Sequence, residues 1–261
     1  MTAIGTVRPA GAARHWLVLG RRRLLKIAHN PENLVDVTVQ PVLFLVMFGL
    51  LFGGAISGGT QAYLQVLVPG LLAPSVVLAS MSAGAGLNAD VRTGVFDRFR
   101  SLPIARAAPL AGTVLADVVR YLLAFAVLLV TGVVMGFRVQ TGPLAVLAAA
   151  GLLVLTGFCF CWIAVFIGML SRGPESVPGV VTALYLPLVF GSNVFVPDAS
   201  LPDWLRAWSG LNPVSLLANT LRGLLTGGPV LSPLLGTLAW LTGIVAVFFP
   251  LAMRAYRRRA E

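Results

Sequence analysis

The chain has 261 residues, 57% of them hydrophobic and only 11% charged, with a mean hydropathy of +0.90. Charged residues in a soluble domain reach roughly a quarter, so this composition excludes a soluble fold and predicts an all-α polytopic membrane protein. The formal net charge of +10 sits in short basic clusters beside apolar runs, the pattern of topology signals and anionic head groups, and it argues against nucleic acid as a partner.

Residues 1–36 read as a basic segment. Over 12–28, Trp16, Leu17, Gly20, Leu24, Ile27 and Ala28 share one helical arc, while Arg14, Arg21, Arg22 and Lys26 take the other. Such a helix lies in the membrane interface with its cations toward the head groups, and Asn30-Pro31 stops it. A cleaved signal peptide fits poorly, because Glu32 and Asp36 stand just before the first apolar run.

A membrane helix needs about 20 predominantly apolar residues, and six stretches qualify: 37–56, 63–87, 109–136, 143–170, 177–196 and 230–253. They make 37–253 the transmembrane domain, with 254–261 a basic tail. With both termini in the cytoplasm, fifteen basic residues fall inside and only Arg138, Arg206 and Arg222 outside, which fixes the expected orientation by the positive-inside rule. Three G-x-x-x-G pairs, Gly49/Gly53, Gly54/Gly58 and Gly132/Gly136, mark close helix approach within one subunit or between two.

Between the second and third stretches lies a charged amphipathic island, 88–106, within a loop 88–108. Val95, Phe96, Phe99 and Leu102 fall on one helical face, and Arg92, Asp97, Arg98 and Arg100 project elsewhere. Asn88 or Asp90 is positioned to cap this helix, and Pro103 to end it. By itself the pattern fits a helix pressed into a partner or a solvated basic loop.

Within the third stretch, Asp117 and Arg120 stand at i and i+3, a spacing at which they pair; charges inside a span are costly and find partners. Cys159 and Cys161 lie in an apolar run without acidic or His companions, and His15 and His29 have none at ligand spacing, so no metal site is expected. Lys26 is the single lysine, which rules out a G-x-x-x-x-G-K-[ST] phosphate loop. No clustered carboxylates, His pair or Ser/His/Asp set supplies catalytic or cofactor-binding residues.

After the fifth stretch, residues 198–228 read as two short external helices. Pro202 opens the first, which carries Trp204. Asn212 caps the second with Pro213 at its first position, Asn219 and Arg222 lie on the polar face, and Gly227 closes it.

With these pieces in order, the chain resembles the integral-membrane subunit of type-2 ABC exporters, within them the daunorubicin-resistance-like permeases of actinobacteria. The likeness is carried by Asp36-x-x-x-Gln40-Pro41-Val42-Leu43-Phe44, Phe52-Gly53-Gly54, Tyr63 with Pro69-Gly70, and Asp90-x-x-x-Gly94-x-x-x-Arg98 through Ser101-Leu102-Pro103-Ile104. It continues in Ala116-Asp117-x-x-Arg120, Gly136-Phe137-Arg138, Phe195-Val196-Pro197, Leu201-Pro202-x-Trp204-Leu205, Asn212-Pro213 and Asn219-x-x-Arg222. The resemblance implies six transmembrane helices, an interfacial N-terminal helix, external helices before the last span, and a coupling helix formed by the island. It further implies a soluble ATPase partner that holds ATP and Mg, a second permease copy, identical or a paralogue, membrane lipid, and an amphipathic small-molecule or lipid cargo. An ion-coupled secondary transporter, an intramembrane enzyme and a mere membrane anchor for an ATPase are the competing expectations.

Overall fold

A computed structural model of the chain describes residues 31–57, 59–92, 108–171 and 173–260. The interfacial helix expected at 12–28, and Val95, Phe96, Asp97, Arg98, Phe99 and Arg100 of the island, lie outside the described residues. The elements in order are α1 Pro31–Ser57, α2 Thr60–Arg92, α3 Ala108–Met135, α4 Pro143–Leu170, α5 Val177–Phe190, α6 Asp203–Leu211, α7 Pro213–Thr226 and α8 Leu231–Ala260, with single 3-10 turns at Pro174–Ser176 and Asp198–Ser200. No strand occurs among the described residues. Four helices, α2, α3, α4 and α8, are long and apolar enough to cross a membrane; the described apolar parts of α1 and α5 are shorter.

The bundle is built around α2. Its residues are apolar on every side, the mark of a helix surrounded by others, and it packs against α1, α3, α4, α5 and α7. Tyr63, Leu64, Leu67, Val68 and Leu72 have no exposed surface. At the start of α2 the bundle carries α6 and α7; this is called the capped end. The opposite end, where α8 finishes with exposed Arg254 and Arg258, is called the basic end. At the capped end the Thr141 hydroxyl donates to the Leu224 carbonyl at 2.6 Å and the Gln140 N–H to the Leu225 carbonyl at 2.9 Å, tying the α3–α4 turn to α7.

Toward the basic end α2 crosses α4 with almost no side chain between them. A Cβ on Gly84 would run into the Ala164 carbonyl, and one on Gly168 into the Gly84 carbonyl, so backbone lies on backbone as small-residue crossings in membranes allow. Of the G-x-x-x-G pairs, Gly49 faces Met135 and Leu64, Gly53 faces Thr60, and Gly132 faces Val68, all within one subunit, while Gly54 meets nothing.

Two expectations are corrected. Asn88 does not open a new helix, because nothing from 88 to 92 interrupts α2, which runs on to Arg92. Its buried amide instead donates to the carbonyls of Gly168 at 2.6 Å and Ser171 at 3.2 Å, groups left over at the end of α4. The fifth stretch does not continue to residue 196. Its helix, α5, has 14 residues, roughly 21 Å at about 1.5 Å per residue, against the ~30 Å of hydrocarbon. Pro187 removes a backbone donor within its last turn, and where the helix ends the Asn212 amide donates to the leftover Leu188 and Gly191 carbonyls at 2.7 and 3.3 Å. Beyond α5, residues 191–197 have no regular structure.

Candidate functional site

A cavity of about 440 Å³ lies between α1, α2, α3 and α5. Its walls are mostly aliphatic and aromatic, from Phe44, Leu71, Leu78 and Val181 among others, with polar atoms from Gln40, Ser75, Thr182 and Tyr185 and one charged side chain, Arg120. Volume and lining match the ~300–1,000 Å³, largely apolar pockets that take drug-sized ligands with a few polar groups to orient them.

Arg120 is brought to the wall by its partner. Its Nη1 lies 3.6 Å from Asp117 Oδ1, one turn earlier on α3, and the two side chains are mostly buried at 10% and 19% exposure. The i,i+3 spacing places both on one face of α3, so the carboxylate compensates the guanidinium from within the helix. The Tyr185 hydroxyl, also in the wall, donates to the Pro74 carbonyl at 2.6 Å, which joins α5 to α2 across the cavity.

Toward the capped end the cavity stops at aromatic rings. Phe44, Phe190 and Phe195 line it; Phe195 lies 4.6 Å from Phe48 and 5.8 Å from Phe190 between ring centroids, and Phe44 lies 6.1 Å from Phe48. These offset and edge arrangements are favourable for aromatic pairs.

The residues singled out near the end of the chain form the cap above those rings. Asn212 Oδ1 accepts from the Val214 N–H at 2.9 Å with Pro213 at the first helical position, and Gly227 ends α7 at φ +82°, a backbone that glycine adopts without strain. Asn219 Oδ1 accepts from Arg222 Nη1 at 2.9 Å and from Asn193 Nδ2 at 2.8 Å. Asn193 Nδ2 also donates to both Asp198 oxygens at 3.0 Å. Burial brings the Arg222 guanidinium down to about 10, against the opposing pull of Asp198 and Tyr63, and at neutral pH it remains charged. Trp204 stands apart, 72% exposed on α6.

The structure therefore gathers Asn212, Pro213, Asn219 and Arg222 into one cap and places Arg120 at the cavity with Asp117 against it, while Arg92 closes α2 at the basic end. Sequence reasoning missed Gln40, Ser75, Thr182 and Tyr185 as cavity residues, and Asn193 as a cap residue. The signal for Asn193 was the polar run Gly191-Ser192-Asn193 after Pro187 in an otherwise apolar stretch. Among the described residues no group of His, Cys, Asp or Glu is arranged to hold a metal ion.

Comparison with known proteins places this architecture. Residues 14–226 match the family model described as ABC-2 type transporter. The daunorubicin resistance ABC transporter permease protein DrrB1 of Streptomyces coeruleorubidus is 40% identical over 238 residues, covering 91% of this chain and 84% of the relative. The probable doxorubicin resistance ABC transporter permease protein DrrC of Mycobacterium tuberculosis is 30% identical over 244 residues, covering 93% and 88%. The inner membrane transport permease YadH of Escherichia coli is 27% identical over 229 residues, covering 84% of each. With its apolar helices and this match across most of its length, the chain is a multi-pass membrane protein of the ABC-2 type transporter family.

Proposed function

We propose that this chain is the membrane-spanning subunit of an ATP-driven exporter, working as a pair of permease subunits with a separate soluble ATPase that carries ATP and Mg. In this reading the basic end and both termini face the cytoplasm, the capped end faces outward, and the cargo is an amphipathic drug-like or lipid compound. The observation that carries it is the 440 Å³ cavity, apolar apart from a few polar groups and one charge-compensated arginine, in a chain whose relatives are named for resistance to daunorubicin and doxorubicin. The chain has no phosphate loop of its own, so energy enters through a partner, and the island with Arg92, Val95, Phe96, Asp97, Arg98, Phe99 and Arg100 is where the ATPase docks: an apolar face for affinity and charges for register.

An ion-coupled cycle is disfavoured by Asp117, which is held against Arg120 at 3.6 Å and so has a cation in place of the proton a carrier would need. The test is uptake of doxorubicin into inside-out vesicles holding the chain and its ATPase. ATP-dependent accumulation is expected, lost when the ATPase is omitted. Accumulation driven by an ion gradient without the ATPase would refute the reading.

A further inference from the structure

Residues 191–197 lack regular structure, yet the backbone in their middle is held from two sides. Arg222 Nη2 donates to the carbonyls of Asn193 at 2.7 Å and Val194 at 3.2 Å, while its Nε donates to the Val66 carbonyl of α2 at 3.2 Å. The Tyr63 hydroxyl donates to the next carbonyl, that of Phe195, at 2.8 Å. A Cβ on Gly70 would lie 2.6 Å from the Val194 carbonyl, so α2 accepts the segment at this distance only because it has glycine there. Three consecutive carbonyls are thus pinned to α2 and α7, in a segment that helical bonding does not secure.

What the pinning fixes is the ring of Phe195. It closes the cavity at its capped side, packed on Phe48 and Phe190, and beyond it the core around Tyr63, Leu64, Leu67 and Val68 is filled with no exposed surface. The highest point of α2 in the cavity wall is Leu71, eleven residues and so roughly 16 Å below the helix start at about 1.5 Å per residue. Cargo leaving through the capped end therefore has to move these rings. The carboxylate of Asp198 is engaged by Asn193, and the bonds Arg222 makes to the segment go to carbonyls, which other carbonyls of a shifted segment can replace.

We propose that Phe195, with Phe48 and Phe190, is the closed outer gate of the transport path, and that Arg222 and Tyr63 are positioning residues that latch it through the carbonyls at 193–195. The word outer rests on the exporter reading. The latch itself rests on the geometry.

The test uses the full chain with its ATPase in membranes, with Cys159 and Cys161 replaced by Ala and one reporter cysteine, Ser75→Cys, in the cavity wall. A membrane-impermeant methanethiosulfonate is added from the capped side without ATP or cargo. Labelling is expected to be slow in this parent, about tenfold faster with Phe195→Ala or Arg222→Met, and several-fold faster with Tyr63→Phe, as an opened two-state element exposes the reporter. Labelling from the basic side, measured in vesicles of the opposite orientation, is expected to stay the same. Parental rates in Phe195→Ala and Tyr63→Phe chains that reach the membrane at normal level would overturn the gate. Faster labelling from both sides, the mark of a loosened bundle, would overturn the latch. If Arg222→Met does not accumulate, Tyr63→Phe, which removes one hydroxyl, carries the latch test alone. Failure of ATP-driven export would refute the exporter reading and leave this labelling result standing, since it needs neither nucleotide nor cargo.

Discussion

At the capped end the bundle is filled to its axis, with Tyr63, Leu64, Leu67 and Val68 wholly buried among α7 and neighbouring helices, whereas over the next turns of the same helix Leu71, Ser75 and Leu78 border a cavity. The two halves are stabilised by different means. The capped half combines a large apolar core with a buried polar network around Asn193, Asn219 and Arg222. The basic half leans on the close crossing of Gly84 with Ala164 and Gly168, on Asn88 holding the end of α4, and on the Asp117–Arg120 pair. Dense packing at one end and a lined void at the other set the two halves apart, and in the proposed exporter reading the dense end is the closed outer side.

The sharpest way to break the basic half is at its glycine crossing. Gly84→Val places side-chain atoms against the Ala164 backbone, which no rotamer change relieves, and overpacking of this kind costs ~3 kcal/mol or more. The membrane level of the variant is expected to collapse, as read by quantitative blotting.

In the capped half the comparable break is Arg222→Met. It strips donors from the carbonyls of Val66, Asn193 and Val194 and from Asn219, and removing one partner from a buried charged network costs about 3 kcal/mol. Thermal unfolding in detergent is expected to move down by several degrees. Arg222→Lys is expected to recover part of the loss, because one ammonium cannot reproduce the planar fork.

The third break concerns Asp117 and Arg120, of which the arginine stands in the cavity wall. Asp117→Asn or Arg120→Met alone removes one member of the ion pair, and each single change is expected to lower stability by about 1–3 kcal/mol, with the double change less harmful than the sum of the two. Additive losses in the double-mutant cycle would show that the 3.6 Å approach carries no coupling.

Smallest is the effect of pH on the cap. Burial lowers the Arg222 pKa to about 10, so below that value the group is charged both folded and unfolded and its contribution is flat. Only as pH rises through about 10 does the unfolded chain hold more protons than the folded one, which makes stability rise with pH there. Unfolding temperatures at about pH 6 and pH 9 should therefore show no Arg222-dependent difference, judged against the Arg222→Met chain, which has no titrating group at the site.

Much of this architecture is legible in residue order. Long apolar runs mark the helices, because hydrocarbon demands both length and apolarity. Asn212-Pro213 with Gly227 marks α7, because capping is local chemistry, and the spacing of Asp117 and Arg120 marks the pair, because three residues return a helix to the same face. Asn88 misleads for the opposite reason: an Asn beside charged residues looks like the cap of a new helix, and only tertiary packing reveals that it caps a helix eighty residues away. The short α5 is hidden because Val194 and Phe195 keep hydropathy high beyond Phe190, where the helix has already ended. The cavity is invisible, since a void has no sequence of its own and its walls come from four helices.

The central claim is that this void is the cargo site of an ATP-driven exporter, and a paired obstruction tests it most directly. Ser75→Phe projects a ring into the cavity, while Val134→Phe adds the same ring on the exposed face of α3, where Val134 is 81% exposed. Both chains are expected to reach the membrane and bind the ATPase at parental level. With ATP-driven doxorubicin uptake by vesicles as the measurement, the account predicts that Ser75→Phe abolishes transport and Val134→Phe preserves it; equal transport by the two would contradict it.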